Sequence, residues 1–157
     1  MNFTIPTPLQ QVHEALHDEL RRATEAGGEV GDSARALARL MHPHFVKEDQ
    51  FALPPLGLLP ALARGAVSAE MAGVLALTDR LEAELPEMLK EHASIVEALQ
   101  RLQAAAQRAG RADIVAFAQQ LTQHARTEEE VMYPAAILVG RHVRQLLGLP
   151  AGQRAAD

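Results

Sequence analysis

Residues 123–134 read QHARTEEEVMYP, a histidine and three glutamates between the apolar-containing runs FAQQL and VMYP. Charge in that setting is either a solvated helix face or a buried site, and periodicity separates the two. At about 100° per residue, a stripe through Ile114, Phe117 and Leu121 continues to His124, Glu128 and Val131. Glu128 then lies roughly 40° from His124, while Glu129 and Glu130 point about 120–140° away, toward water. One carboxylate and its histidine face the apolar side, and a carboxylate there needs a partner.

The same pattern recurs outward along the chain. A second stripe runs Leu37, Leu40, Met41, His44, Glu48, Phe51, so HFVKE repeats the His-x-x-x-Glu arrangement of HARTE. A third, Leu81, Leu85, Met88, His92, Ile95, Leu99, holds His92 near its centre. The first stripe is Leu9, Val12, His13, Leu16, Leu20, with His17 one turn beyond His13. His13 falls about 40° from that stripe's centre and His17 about 80°, which makes His13 the better-placed ligand and His17 the marginal one. His42 and His142 lie off their stripes. Glu91, Asp49, Glu129 and Glu130 read as solvated, Met88 and Phe117 as packing residues. Tyr133, the only tyrosine, is expected on the outer face beside Pro134.

Four helices account for these stripes. The first runs from about Thr7 to Ala26 and stops at Gly27-Gly28. The second, capped by Asp32 or Ser33, continues through Phe51. The Pro- and Gly-rich stretch at 52–67 cannot be one regular helix. The third is capped by Ser68 and ends near Arg108, with a kink expected at Pro86. The fourth spans about Asp113 to Tyr133, and beyond Pro134 the stretch AAILVGRHVRQLLG reads as a short C-terminal helix. With no strand alternation, the expected fold is all-α, an antiparallel up-down four-helix bundle. Counting from the turns at Gly27-Gly28 and Gly110, His13 is level with His44, and His92 with His124, to about 5 Å.

At 157 residues the expectation is a single domain over 1–157, its bundle at about 8–133 with an extension at 134–157. A hydrophobic fraction of 48% with 22% charged residues describes a soluble globular chain. The net charge of −5 argues against nucleic acid as a partner. The absence of cysteine excludes disulfides and thiol chemistry, so any metal must be held by His, Asp and Glu. MNFTIPTPLQ lacks the features of a signal peptide, and FALPPLGLLPALA is too short and proline-rich to span a membrane. The default expectation is a cytoplasmic protein.

Imidazole suits iron, zinc, copper and nickel, while carboxylates suit harder ions and can bridge two of them. Each His-x-x-x-Glu pair projects both side chains from one helix face. Two such pairs with further histidines supply enough donors for a two-metal centre, a reason for burying Glu48 and Glu128. Left unpaired in an apolar core, each would cost several kcal/mol.

The ordered set His13, His44 with Glu48, His92, and His124 with Glu128 resembles the hemerythrin-like, or HHE cation-binding, domain family over about residues 8–133. The resemblance implies a non-haem di-iron centre, oxo- or hydroxo-bridged, with Glu48 and Glu128 as bridges and histidines as terminal ligands. It implies a protein that binds or senses dioxygen, nitric oxide, peroxide or iron itself. Zinc or manganese also suits the donor types. Oxygen-carrying hemerythrins have an HxxxH pair on the third helix, where Met88 and Val96 flank His92 here. Their last carboxylate is an aspartate five residues after its histidine, where Glu128 stands four residues on. If His17 binds along with His13, the set is again five histidines and two carboxylates, differently distributed. A missing imidazole would leave a position for peroxide or water, which favours redox or sensing chemistry over oxygen transport. The alternatives are a di-iron oxidase or peroxidase-like enzyme, and a metal-free helical interaction module. The apolar content of the 52–67 linker and the C-terminal helix suits a cover for the site or a homodimer surface.

Overall fold

Pro6 and Pro8 open the first helix, where a missing N–H costs no hydrogen bond. Helix α1 (Thr7–Thr24) then presents His13, Leu16 and Leu20 to the interior. The chain turns at Gly28, whose φ of 64° lies in the left-handed region that glycine adopts freely. Helix α2 (Gly28–Lys47) begins at this turn, earlier than the expected caps Asp32 and Ser33, because the glycine pair itself makes the reversal. The computed structural model describes residues 1–151.

After α2 the helix widens into a π turn, Glu48–Ala52. The linker continues as a 3-10 turn (Pro54–Leu58), the short helix α3 (Leu59–Ala63) and a second 3-10 turn (Ala69–Gly73). Its Pro54, Pro55, Leu56 and Leu58 are buried. Helix α4 (Val74–Arg108) passes through Pro86 as one element. Helix α5 (Ala112–Thr127) runs into another π turn, Glu128–Met132, and straight on into α6 (Tyr133–Leu146). Pro134 therefore sits in the first turn of a continuing helix rather than ending the fourth. Residues 152–157 of the expected C-terminal extension lie outside those described.

Every regular element among the described residues is helical. Helix α1 packs on α2, α2 on α4, α4 on α5 and α5 on α1, which closes a four-helix bundle. Helix α6 lies against α4 so closely that a Cβ at Gly140 would sit 2.1 Å from Thr78 Oγ1. Among the described residues no helix is long and apolar enough to cross a membrane.

The core is divided along the bundle. Leu16, Leu37, Met41, Phe45, Ile95, Leu102, Phe117 and Leu121 form one apolar cluster; Phe51, Leu53, Leu81, Met88 and Tyr133 form another. On α4, His92 stands between Met88 of one cluster and Ile95 of the other. A polar layer thus lies between two apolar ones, each large buried side chain contributing about 1.5–3 kcal/mol.

Candidate metal centre

Four helices each place one imidazole in this layer. His13, His44 and His92 are 5%, 1% and 2% exposed, and Glu48 and Glu128 are 0% and 3%. His124 is nearly as deep, its side chain 10% exposed. The rings pair across the bundle: His44 with His92 at 4.5 Å between centroids, and His13 with His124 at 5.2 Å.

Glu128 sits between the pairs. Its Oε1 lies 2.7 Å from His124 Nε2 and 3.2 Å from His13 Nε2, and its Oε2 lies 3.3 Å from His92 Nε2. Glu48 Oε1 lies 3.3 Å from His44 Nε2, and Oε2 lies 3.7 Å from His13 Nε2. Donor atoms group in two sets, His44, Glu48, His92 and Glu128 in one, His13, His124 and Glu128 in the other. Within each set all donors fall inside 4.8 Å of one another, and Glu128 belongs to both.

The outward nitrogens fix the rings. His44 Nδ1 donates to Glu91 Oε2 at 2.8 Å, and His92 Nδ1 donates to Glu129 Oε1 at 2.9 Å. Both Nε2 atoms are thereby turned inward, the arrangement by which carboxylates orient metal-binding histidines. Lys47 holds Glu91 in place at 2.5 Å. Both Glu91 and Glu129 read as solvated in the sequence. Glu129 is exposed, at 39%, and Glu91 is partly buried, at 27%, yet each holds a ring.

Tyr133 departs furthest from expectation. It is fully buried, and its hydroxyl donates to Glu48 Oε1 at 2.5 Å. The same oxygen is 3.4 Å from His44 Nε2 and 3.3 Å from His92 Nε2. The cause is the π turn, closed by a bond from the Tyr133 N–H to the Glu128 carbonyl. One extra residue in the turn rotates the helix beyond it, so Tyr133 faces inward and Val131, expected on the stripe, is 58% exposed. The sequence does carry a matching signal: Pro54 and Pro134 each stand six residues after a paired glutamate. Proline lacks the N–H a regular turn needs and clashes with the carbonyl four residues back, and a π turn precedes each.

His17 is not brought to the cluster. It is exposed, its ring tilted against Phe45 at 3.9 Å between centroids, and it belongs to neither donor set.

The charges of the layer arise from its depth and its pairs. Burial resists a charge on the His44 ring, but hydrogen bonds to Glu48 and Glu91 outweigh it and lift its pKa to about 9. Burial is likewise overcome at His13 and at His92, both raised chiefly through hydrogen bonds to Glu128. Burial pushes Glu128 up, yet the imidazoles of His124, His13 and His92 hold it well below the usual range. Glu48 is raised, by burial and then by the charge of Glu128. Burial and the two carboxylates push Tyr133 up, so it remains a phenol.

Among the described residues, Glu48 Oε2 and His124 Nε2 find no hydrogen-bond partner, and neither does His13 Nδ1, on the Asp49 side of its ring. His124 Nε2 is close to Glu128 without the alignment of a hydrogen bond. The Nε2 atoms of His44 and His92 stand 2.7 Å apart while both rings donate through Nδ1. Two lone pairs at that separation need a proton or a metal cation between them. Convergent imidazole and carboxylate donors with unpartnered lone pairs fit a metal ion, and no cysteine is present to favour softer chemistry.

Neither a curated protein nor a solved structure matches the chain. The family model described as the hemerythrin HHE cation-binding domain matches residues 7–136. That span takes in all six converging residues and Tyr133, and the chain belongs to the hemerythrin HHE cation-binding domain family.

Proposed function

We propose that the chain is a non-haem di-iron protein that binds or senses a small molecule such as dioxygen, nitric oxide or peroxide. The observation that carries this is the position of Glu128, common to two donor sets that share nothing else. One carboxylate serving two sets is what a bridged pair of metal ions requires. In this reading His44, His92 and Glu48 serve one ion, His13 and His124 the other, with Glu128 between and His17 outside. The helices are taken in up-down order, with short turns at Gly28 and Gly110.

An iron pair, when bound, supplies redox-active Lewis-acid positions in a site closed to bulk water. The chain's residues do the rest. Glu91 and Glu129 hold the His44 and His92 rings with Nε2 inward. Tyr133 keeps its proton and presents Oη to Glu48 Oε1, which orients that carboxylate and leaves Oε2 directed at the second set. The apolar clusters above and below exclude water.

A second reading, peroxide turnover, draws on Tyr133, a neutral hydroxyl donor 3.4 Å from His44 and 3.3 Å from His92. Anaerobic Fe(II) loading followed by air or nitric oxide tests the first reading. A charge-transfer spectrum that is reversible with nitric oxide, and absent from Glu48→Ala/Glu128→Ala, supports a binding protein. Rapid peroxide consumption per iron supports the enzyme, and no spectral change under any gas overturns both.

A further inference from the structure

Two hollows meet at one pair of side chains. An open groove of about 240 Å³ runs between α1 and α2, with His17, Leu20, Arg21 and His42 on its walls and Met41 and Phe45 on its floor. A smaller hollow of about 10 Å³ lies on the donor side, bounded by His44, His92, His124 and Glu128 and again by Met41 and Phe45. The two hollows share Met41 and Phe45 as lining residues. Met41 and Phe45 are each 3% exposed. The Phe45 ring is 3.9 Å from that of His17, outside, and 5.1 Å from that of His13, inside. Tyr133 and Glu48 do not bound the inner hollow, which lies on the His92, His124 and Glu128 side of the donor layer.

We infer that this groove is the route by which a small uncharged molecule reaches the donor layer, with Met41 and Phe45 as the gate and His17 as the latch on Phe45. The inference rests on the metal-centre reading for its purpose, and on the two hollows for its path. Size is set by the inner cavity, which has room for about one water-sized molecule. Methionine is the side chain best able to swing aside and admit a second atom. Charge is set by the gate: an ion crossing a thioether and a phenyl ring loses its hydration with no partner offered. Dioxygen, nitric oxide and hydrogen peroxide meet both conditions; nitrite and superoxide fail the second. This role also accounts for a histidine that helical spacing points to but that the donor layer does not use.

The only tyrosine of the chain, in a sequence without tryptophan, is Tyr133. Its hydroxyl lies 3.3 Å from a ring that bounds the inner cavity. Collisional quenching of its fluorescence by dissolved dioxygen, measured by lifetime on the metal-free chain, therefore reports arrival at the layer. His17→Ala and Phe45→Ala are expected to raise the quenching rate severalfold, and Met41→Phe to lower it. Leu81→Ala, which hollows the core beside Tyr133 but outside the groove, is expected to leave it near the parent value. His17 is exposed, so that variant keeps its fold even if Phe45→Ala does not. The inference is overturned if His17→Ala and Met41→Phe leave the rate unchanged, or if Leu81→Ala raises it as much as the groove variants. Iron uptake by the same variants is followed separately. A chain that takes up no iron yet shows this quenching pattern would fail the metal reading and leave the route standing.

Discussion

Replacing Tyr133 with phenylalanine tests the π turn and the hydroxyl it delivers to Glu48. The ring is fully buried and phenylalanine fills its space, so no cavity contributes. What changes is one hydrogen bond of 2.5 Å to a carboxyl that is itself 0% exposed. Leaving such an acceptor without its donor costs about 1–3 kcal/mol. For a chain of this length each kcal/mol lowers the melting temperature by about 2–4 °C, so the metal-free variant should melt about 4–8 °C lower if the cost is near 2 kcal/mol. Val131→Ser is the matched control. An uninterrupted α-helix would bury Val131, whereas the π turn leaves it 58% exposed, and a surface change there should stay within about 0.5 kcal/mol. Thermal unfolding by far-ultraviolet circular dichroism, in chelator at neutral pH, reads both. A Tyr133→Phe chain as stable as the parent, beside a Val131→Ser chain that melts much earlier, would refute the π-turn register and return Tyr133 to the outer face.

Glu91→Gln keeps the size of the residue that orients His44 but loses its charge; metal affinity should fall about 10–100-fold, read by competition with a chelating dye. Gly140→Ala forces a methyl to within 2.1 Å of Thr78 Oγ1 and 2.6 Å of its Cβ. Overpacking of that kind costs about 1–3 kcal/mol, and Thr78→Ala in the same chain should recover part of it. The His44 ring, lifted from 6.5 to about 9, keeps its proton until alkaline pH, so an incoming metal must displace it. Apparent affinity should rise with pH and level off above about 9, with protons released on binding. In the metal-free chain the sign is opposite. The charged ring stabilises the fold fully below pH 6.5, and that contribution is lost as pH rises through about 9, which a melting series across this window would show.

The donor layer was legible because its spacing is purely helical. Each histidine and glutamate lies within an α-helix or at the first residue beyond it, where the 3.6-residue stripe still holds, and His13, His44, Glu48, His92, His124 and Glu128 converge as the stripes require. Legibility failed one turn later. A π turn changes no composition and shifts the register by a single residue, so Tyr133 and Val131 exchanged faces. Glu91 and Glu129 were read as solvated because they lie off the stripes, which does not show that a long side chain reaches back to a ring on the neighbouring helix. His17 failed for a related reason: its marginal angle carried it out past Phe45, a residue whose bulk the stripe did not weigh. The glycine turn at Gly27-Gly28 was visible, but its effect on where α2 begins was not, since a left-handed glycine starts the helix without needing Asp32 or Ser33.

The central claim is that Glu128 joins two metal positions in one layer, and half-site stoichiometry tests it most directly. Calorimetric titration with Fe(II) or Co(II), checked by elemental analysis, should give two ions per parent chain. His13→Ala/His124→Ala and His44→Ala/His92→Ala should each retain one, from opposite halves, and Glu128→Ala should weaken both. A parent chain that binds a single ion, or half-site variants that both keep two, would contradict the account.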